Sequence, residues 1–301
     1  MSFQSRLGCS WVRLYVKRKP AGETALVEFT RRRFCTPGWL VWLHSLGASI
    51  ERIDSPVRGE WISPRGGPQS PGVIYYLHGG GYISGSAKSC RPITVTLARD
   101  SGTRVFALDY RLAPEHHFPA GLDDAVAGYR WLLSKGTDSK SIAVVGDSAG
   151  GGMTLALALR LREAGEPLPG CLACLSPWTD MTSESKSLRE NSERDSMFVA
   201  EDIERYAHAY LADHSRRDPL ASPLLADLHG LPPILIQVGR DEVLLDDARQ
   251  LHAKVLAAGG SSALHIYEDV PHGWHYGAPF VPETGQALKE VAEFVRAKIR
   301  S

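Results

Sequence analysis

The chain has 301 residues, of which 43% are hydrophobic and 23% are charged, as is ordinary for a soluble globular protein. Its 34 basic and 34 acidic side chains give a formal net charge of zero, so the overall composition gives no indication of a general electrostatic affinity for nucleic acid or anionic membranes. The length allows one large α/β domain or two small ones, with a substantial core in either case.

The N-terminal region is basic, with eight Lys or Arg side chains against two Glu in the first 33 residues. We interpret runs such as the arginines at 31–33 as solvated helix faces rather than as a targeting signal. No signal peptide is visible, and the most apolar stretch, 39–50, is too short to cross a bilayer. Five cysteines without a framework spacing fit a reducing compartment, so we expect a cytoplasmic protein without a membrane span.

From residue 49 onward, short β-rich runs alternate with longer helical stretches. This alternation predicts a mostly parallel eight-stranded sheet with helices on both faces. The first two strands are expected to be antiparallel edge strands, because no helix fits between them. The predicted strands are 49–53, 57–62, 73–77, 105–108, 141–146, 171–176, 234–239 and 263–268, and the predicted helices are 88–99, 121–135, 149–164, 244–258 and 284–299.

Two segments, 1–45 and 181–220, depart from this alternation. Both are helical and polar with interspersed aromatic side chains, and neither contains an obvious strand. We therefore predict a single domain over 1–301 in which these two segments form a helical cap over the site.

The first chemical motif is the glycine-rich loop 78–82, which reads His78-Gly79-Gly80-Gly81-Tyr82 and follows the strand-like run 73–77. Successive glycines after a buried strand leave backbone N–H groups uncovered and let a ligand approach closely. A flexible loop is the ordinary meaning of such a run, but its place ahead of the serine motif described next favours an oxyanion-binding loop. His78 is expected to brace the loop by hydrogen bonding.

The second motif is Gly146-Asp147-Ser148-Ala149-Gly150, which directly follows an apolar, β-branched run and precedes a predicted helix. The glycines permit a tight strand-to-helix turn that raises the Ser148 hydroxyl out of the sheet, beside the Ala149 N–H. The pattern alone is weak, since chance would produce about one such match in every four chains of this length and composition. Its context therefore carries the prediction of a serine nucleophile, and Asp147 is expected to fix the loop.

A serine nucleophile needs a base, and the base needs an acid to orient it. In this topology the acid and then the histidine follow the serine along the chain, each after a strand. Asp241 follows the apolar run 234–238 and is predicted to be the acid. The adjacent Glu242 is expected to point elsewhere, and Asp246 and Asp247 to lie in the first turn of the next helix.

His272 follows the last predicted strand and is predicted to be the base, whereas His275 is expected to be a packing residue. A metal site at this H-x-x-H spacing is disfavoured, because a third ligand and the H-E-x-x-H pattern are missing. Cys171 and Cys174 lie in an apolar strand. Since residues i and i+3 of a strand face opposite sides, we interpret them as core residues rather than a redox or zinc pair.

These motifs together resemble the hormone-sensitive lipase-like family of α/β-hydrolases, in its bacterial branch with Gly-Asp-Ser-Ala-Gly. The resemblance spans about 70–275 in family order, and the N-terminal 45 residues carry no family motif. His117, where relatives tend to have proline, and Trp274, where they usually have phenylalanine, depart from the pattern. Besides the two glycine motifs, the matching segments are 109–116, 118–120, 176–180 and 231–233, the last running into Asp241.

The resemblance implies a serine carboxylesterase that hydrolyses short- to medium-chain acyl esters through an acyl-enzyme, with a small-molecule ester as its partner and no cofactor or metal. Ser148 would attack the ester, His272 would accept its proton, and Asp241 would orient the imidazole. The implied oxyanion donors are the N–H groups of Gly80, Gly81 and Ala149.

Several alternatives remain open at this stage. A lactonase, an amidase or a deacetylase would use the same catalytic residues, because specificity lies in the covering helices. A non-catalytic ligand-binding protein on this fold is disfavoured, since such proteins typically lose the base. Because relatives often pair through an edge strand, the resemblance favours a homodimer.

Overall fold

Short runs of β-branched and other apolar side chains form the strands, because these side chains pack well on a pleated surface that is covered on both sides. A computed structural model describes residues 2–34 and 36–299. The strands within these ranges are β1 (Ala48–Ile53), β2 (Gly59–Pro64), β3 (Val73–Leu77), β4 (Arg104–Leu108), β5 (Ile142–Asp147), β6 (Cys171–Leu175), β7 (Ile234–Gly239) and β8 (Ser262–Tyr267).

Across the described residues the strands form one eight-stranded sheet in the order β1-β2-β4-β3-β5-β6-β7-β8. Strands β1, β2 and β4 pair antiparallel, and the pairs from β4 through β8 are parallel. The predicted mostly parallel sheet is therefore confirmed, with its first two strands at one edge. The runs predicted to be central, in β5 and β7, are buried along their whole length.

The helices predicted between the strands are also present, each within one turn of its expected bounds. No helix of the described residues is long and apolar enough to span a membrane. The α-helices of the described part of the chain are α1 (Phe3–Tyr15), α2 (Glu23–Arg33), α3 (Gly38–Ser45), α4 (Arg91–Ser101), α5 (Ala120–Ser134), α6 (Ala149–Glu163), α7 (Lys186–Glu190), α8 (Ala200–Leu211), α9 (Leu245–Ala257) and α10 (Pro282–Lys298).

Alternation along the strands produces an apolar layer on each face of the sheet. Tyr75 and Leu77 of β3 pack in the layer covered by α5, α6 and α9, whereas Ile74 of the same strand packs in the layer covered by α4 and α10. Cys174 lies in the first layer and Cys171 in the second, so the prediction that they face opposite sides is confirmed. Burial raises the pKa of both thiols.

The two segments predicted to form a cap contact each other through polar groups that are partly or almost fully buried. The Lys17 ammonium donates to the carbonyl oxygens of Ser192 and Asp195, at 2.8 and 2.6 Å. Lys19 pairs with Asp202 at 2.8 Å, where both side chains are almost fully buried. The connection between α1 and α2 is thereby tied to the segment that contains α7 and α8. Positions 1, 35, 300 and 301, which belong to the predicted domain, lie outside the described residues.

Candidate active site

The serine motif forms the predicted strand-to-helix turn. Strand β5 ends at Asp147 and helix α6 begins at Ala149, so Ser148 alone makes the turn, with φ 52° and ψ −119°. A positive φ is costly for a residue with a side chain, and the surrounding packing must hold it. At Gly150 a Cβ would collide with the backbone carbonyl of Leu77, so the first turn of α6 approaches β3 as closely as only glycine permits.

Three side chains that follow strands β5, β7 and β8 meet at this turn. Ser148 Oγ lies 2.9 Å from His272 Nε2, and His272 Nδ1 lies 2.6 Å from Glu242 Oε2. His272 follows β8, and Glu242 follows β7. The parallel strands direct their carboxyl ends to the same edge of the sheet, which is why residues so distant in sequence lie in hydrogen-bond contact.

The prediction that Asp241 is the partner of the histidine is wrong, because Glu242 takes that place. The Asp241 side chain is 37% exposed, and its carboxylate lies 3.9 Å from the Arg194 guanidinium. The turn after β7 directs consecutive side chains to opposite sides, so Glu242 is the one that enters the protein, where it is fully buried. The residues that follow, Val243 and Leu244, are buried as well.

The Glu242 carboxylate is held by donors on both oxygens. While Oε2 faces His272, Oε1 accepts from the Gly239 N–H at 2.6 Å and from the Ser176 hydroxyl at 2.7 Å. Such contacts fix the carboxylate without competing for the oxygen that orients the imidazole. Sequence reasoning did not single out Ser176, although it lies in one of the segments that matched the family.

A second buried carboxylate, that of Asp195, contacts the backbone next to Glu242. Its oxygens accept from the backbone N–H groups of Val243, Met197 and Phe198, at 2.8, 2.7 and 3.1 Å. Burial raises the pKa of Asp195. The residue lies in the segment 181–220, where no motif marks it, and its position therefore emerges only from the tertiary structure.

The environment of His272 favours the protonated imidazole. Burial by itself lowers the pKa of His272, but the charge and the hydrogen bond of Glu242 oppose this effect, with smaller contributions from Asp195 and Asp147. The resulting pKa is raised above the ordinary value of histidine. An imidazolium formed at this position is therefore stabilised at the moment the serine loses its proton.

The glycine loop lies beside the serine, and Asp147 fixes it there. The Gly79 N–H donates to Asp147 Oδ1 at 2.8 Å, and the hydroxyl of Tyr76 donates to the same oxygen at 2.7 Å. Gly80 and Gly81 have φ values of 114° and 63°. Among the described residues no acceptor is recorded for the N–H groups of these two glycines, so the backbone donors are available to a ligand.

The remaining candidate histidines have structural contacts. His78 Nδ1 lies 2.8 Å from the Gly79 carbonyl oxygen, and its ring stacks on Tyr110, which braces the loop. His275 is fully buried with Nε2 3.1 Å from Gln237 Oε1, and burial lowers its pKa to about 3. His275 is thus neutral and packed below the site rather than in contact with the serine.

A cavity of about 340 Å³ leads to Ser148 and His272. Its floor includes Gly80 and Gly81, and its walls are mostly apolar side chains of the cap segments. The Phe198 ring stands edge-on to the His272 ring with centroids 5.1 Å apart. The cap residues that line the cavity include Val12, Phe34, Leu40, Phe198, Ile203 and Tyr206.

This arrangement of sheet, serine turn and histidine defines a class of protein. A family model described as the alpha/beta hydrolase fold matches residues 74–276. The chain therefore belongs to the α/β-hydrolase fold family. Within it, the chain is a relative of the bacterial hormone-sensitive lipase group: it superposes on the crystal structure of an esterase from that group with a TM-score of 0.89 and 39% identity, over 100% of both chains.

Further relatives are named as an acetyl-hydrolase or as esterases. An acetyl-hydrolase of Streptomyces hygroscopicus is 42% identical over 79% of this chain and 79% of its own length. An esterase of Acinetobacter venetianus is 37% identical over 79% of this chain and 78% of its own length. The crystal structure of the esterase EstE5, soaked with p-nitrophenyl butyrate, matches with a TM-score of 0.90 and 36% identity over 99% of both chains.

Proposed function

We propose that this protein is a serine carboxylesterase that hydrolyses short- to medium-chain acyl esters with a Ser148-His272-Glu242 triad. The observation that carries the proposal is the continuous hydrogen-bonded chain from Ser148 Oγ to His272 at 2.9 Å and from His272 to Glu242 at 2.6 Å. A nucleophile within reach of a base that is itself oriented by a buried acid is the requirement for acyl transfer. The names of the relatives support the same reaction class.

In the acylation step, Ser148 Oγ attacks the ester carbonyl carbon while His272 Nε2 accepts the serine proton. Glu242 holds the Nδ1–H tautomer and stabilises the imidazolium. When the tetrahedral intermediate collapses, His272 returns the proton to the departing alkoxide, which leaves as an alcohol. In deacylation a water molecule gives its proton to His272 and attacks the acyl carbon. His272 then passes that proton to Ser148 Oγ as the bond between Oγ and the acyl carbon breaks, which releases the carboxylic acid and restores Ser148.

The developing oxyanion would be bound by backbone N–H groups of Gly80, Gly81 and Ala149. The two glycine N–H groups have no recorded acceptor among the described residues, and Ala149 is the first residue of α6, where helix N–H groups are uncapped and the dipole favours negative charge. Loss of one such donor costs about 10²–10³ in rate.

The size of the cavity supports the proposed preference for esters with short to medium acyl chains. About 340 Å³ of apolar space falls at the lower end of ligand pockets. The Phe198 ring beside His272 and the Tyr206 ring beside Gly81 restrict the space next to the serine. An acyl chain of a few carbons would fill this space, whereas a long chain would have to extend toward the mouth of the cavity.

The test is hydrolysis of p-nitrophenyl esters from acetate to long acyl chains, with Ser148→Ala as the matched inactive control. We expect activity that is greatest for short to medium chains and absent in Ser148→Ala at unchanged melting temperature. A matched amide and a lactone, assayed alongside, distinguish an esterase from an amidase or lactonase that uses the same residues. Turnover by a folded Ser148→Ala variant would refute the proposal.

A further inference from the structure

Helix α1 presents its apolar side chains to solvent. Phe3, Leu7, Trp11 and Leu14 recur at helical spacing, so they share one face, and Phe3 and Leu14 are 72% and 69% exposed. The opposite face packs on the protein through Ser5, which is buried. Surface helices ordinarily direct such a stripe toward the core, and α1 does the reverse.

Helix α3 and the residue that follows it carry a second set of exposed apolar side chains. Trp39 and Trp42 are 67% and 63% exposed, and Leu43 and Leu46 are exposed beside them. Nine of the twelve large hydrophobic side chains that are exposed in the described part of the chain lie within residues 3–46. We call the exposed apolar side chains of α1 and of residues 39–46 the cap face. A concentration of this kind marks an interaction site rather than ordinary surface.

The cap face borders the opening of the catalytic cavity. The exposed side chains of Trp11, Arg33 and Pro37 line the same cavity that ends at Ser148. Because Trp11 belongs to the cap face and also lines the cavity, whatever covers this face lies at the mouth of the site. The partner is therefore placed where a substrate would enter.

Charge indicates which partner fits. Residues 1–33 carry eight Lys or Arg and two Glu, a local charge of +6 in a chain whose net charge is zero. Lys19 and Arg31 form ion pairs, but within the described residues no carboxylate lies within 4.0 Å of Arg13, Arg18 or Arg32. A second copy of the same face would bring like charges together, whereas an anionic surface would complement them.

We propose that the cap face docks on an anionic lipid surface. Exposed tryptophans prefer the boundary between headgroups and acyl chains, and neighbouring arginines are attracted to anionic headgroups. The docked orientation directs the mouth of the cavity at the lipid. If the proposed esterase function holds, an acyl ester could pass from the lipid to Ser148 through apolar surroundings.

The test is flotation of the full chain with vesicles of phosphatidylcholine alone or of equal parts phosphatidylcholine and phosphatidylglycerol. We expect binding to the anionic vesicles that weakens with added salt. The variant Leu7→Ser/Leu14→Ser/Trp42→Ser should bind at least about tenfold more weakly, since it removes three inserted side chains. The variant Arg18→Glu/Arg32→Glu should lose about tenfold on anionic vesicles only. Leu225→Ser/Leu256→Ser, which removes exposed apolar side chains outside the cap face, should bind like the parent.

Melting temperature and p-nitrophenyl acetate hydrolysis check that the variants are folded, and the flotation result stands whether or not the chain hydrolyses esters. Absence of binding, equal binding to both kinds of vesicle, or unchanged binding of the apolar triple variant would overturn the proposal. A parent that sediments as a dimer, together with a monomeric triple variant, would also overturn it, because the cap face would then be an interface between copies.

Discussion

The sharpest test of the site concerns Glu242, and the informative substitution is Glu242→Gln. In the structure Oε1 accepts two hydrogen bonds, from Gly239 and Ser176, while Oε2 faces His272 Nδ1. A glutamine has only one acceptor oxygen. If that oxygen keeps the Oε1 contacts, the amide NH2 faces Nδ1, which must then be an acceptor. Nε2 would carry the proton and could not take one from Ser148.

The size of the effect follows from these contacts. A hydrogen bond to a charged group is worth about 1.5–3 kcal/mol, and the unfavourable tautomer adds to its loss. We expect kcat to fall about 10³–10⁴-fold, which corresponds to about 4–5.5 kcal/mol of transition-state stabilisation. The fold should persist, because Gln keeps the shape of the side chain.

The assay is kcat for p-nitrophenyl acetate, with Asp241→Asn as the matched control. Asp241 is partly exposed and lies 3.9 Å from Arg194, so its neutralisation should change kcat less than about threefold. Melting temperatures of both variants exclude a loss that is due to unfolding. A loss in Asp241→Asn equal to that in Glu242→Gln would refute the assignment of Glu242 as the acid.

Four further outcomes follow from the geometry. The base must be neutral to accept the serine proton, and the pKa of His272 is raised, so kcat/KM should decline below an apparent pKa higher than about 6.5. In Glu242→Gln the decline of the residual activity should move to lower pH. An unshifted pH profile would contradict the assignment of the raised pKa to Glu242. His275→Ala should lower the melting temperature by leaving a buried cavity but keep kcat within about tenfold, and a loss as large as that of His272→Ala would mean that the base is misassigned. Gly80→Ala should reduce kcat by about 10²-fold or more, because a Cβ there meets the Ser84 backbone at an unfavourable φ, and wild-type turnover would exclude this loop from the oxyanion site. Phe198→Ala should shift acyl preference in kcat/KM toward longer chains, and an unchanged ester profile would show that the ring only packs.

Hydrogen bonds connect the surroundings of Glu242 to both segments that are predicted to form a cap. Asp195 binds the backbone at Val243, next to Glu242, while the carbonyl of Asp195 accepts from Lys17 of the N-terminal segment at 2.6 Å. Asp195 therefore links the backbone beside Glu242 to both of these segments.

Much of the fold could be derived from local patterns. Continuous apolar runs such as 143–145 and 234–238 predicted buried parallel strands, because only a sheet covered on both faces hides such runs from water. The glycines that flank Ser148 and the glycines that follow β3 placed two motifs at strand ends. These features depend on backbone sterics and hydrophobic periodicity, which act over a few residues and are therefore readable from the chain alone.

The sequence by itself determined the parallel sheet, the serine turn, the glycine loop and the opposite orientation of Cys171 and Cys174. Only the tertiary structure decided between Asp241 and Glu242, because a one-residue difference in a tight turn selects which side chain is buried and which faces Arg194. The tertiary structure likewise brought Asp195 beside Glu242 and left the apolar face of α1 in solvent. Each of these outcomes depends on which surfaces pack together, and packing between segments far apart in the chain leaves no local periodic pattern.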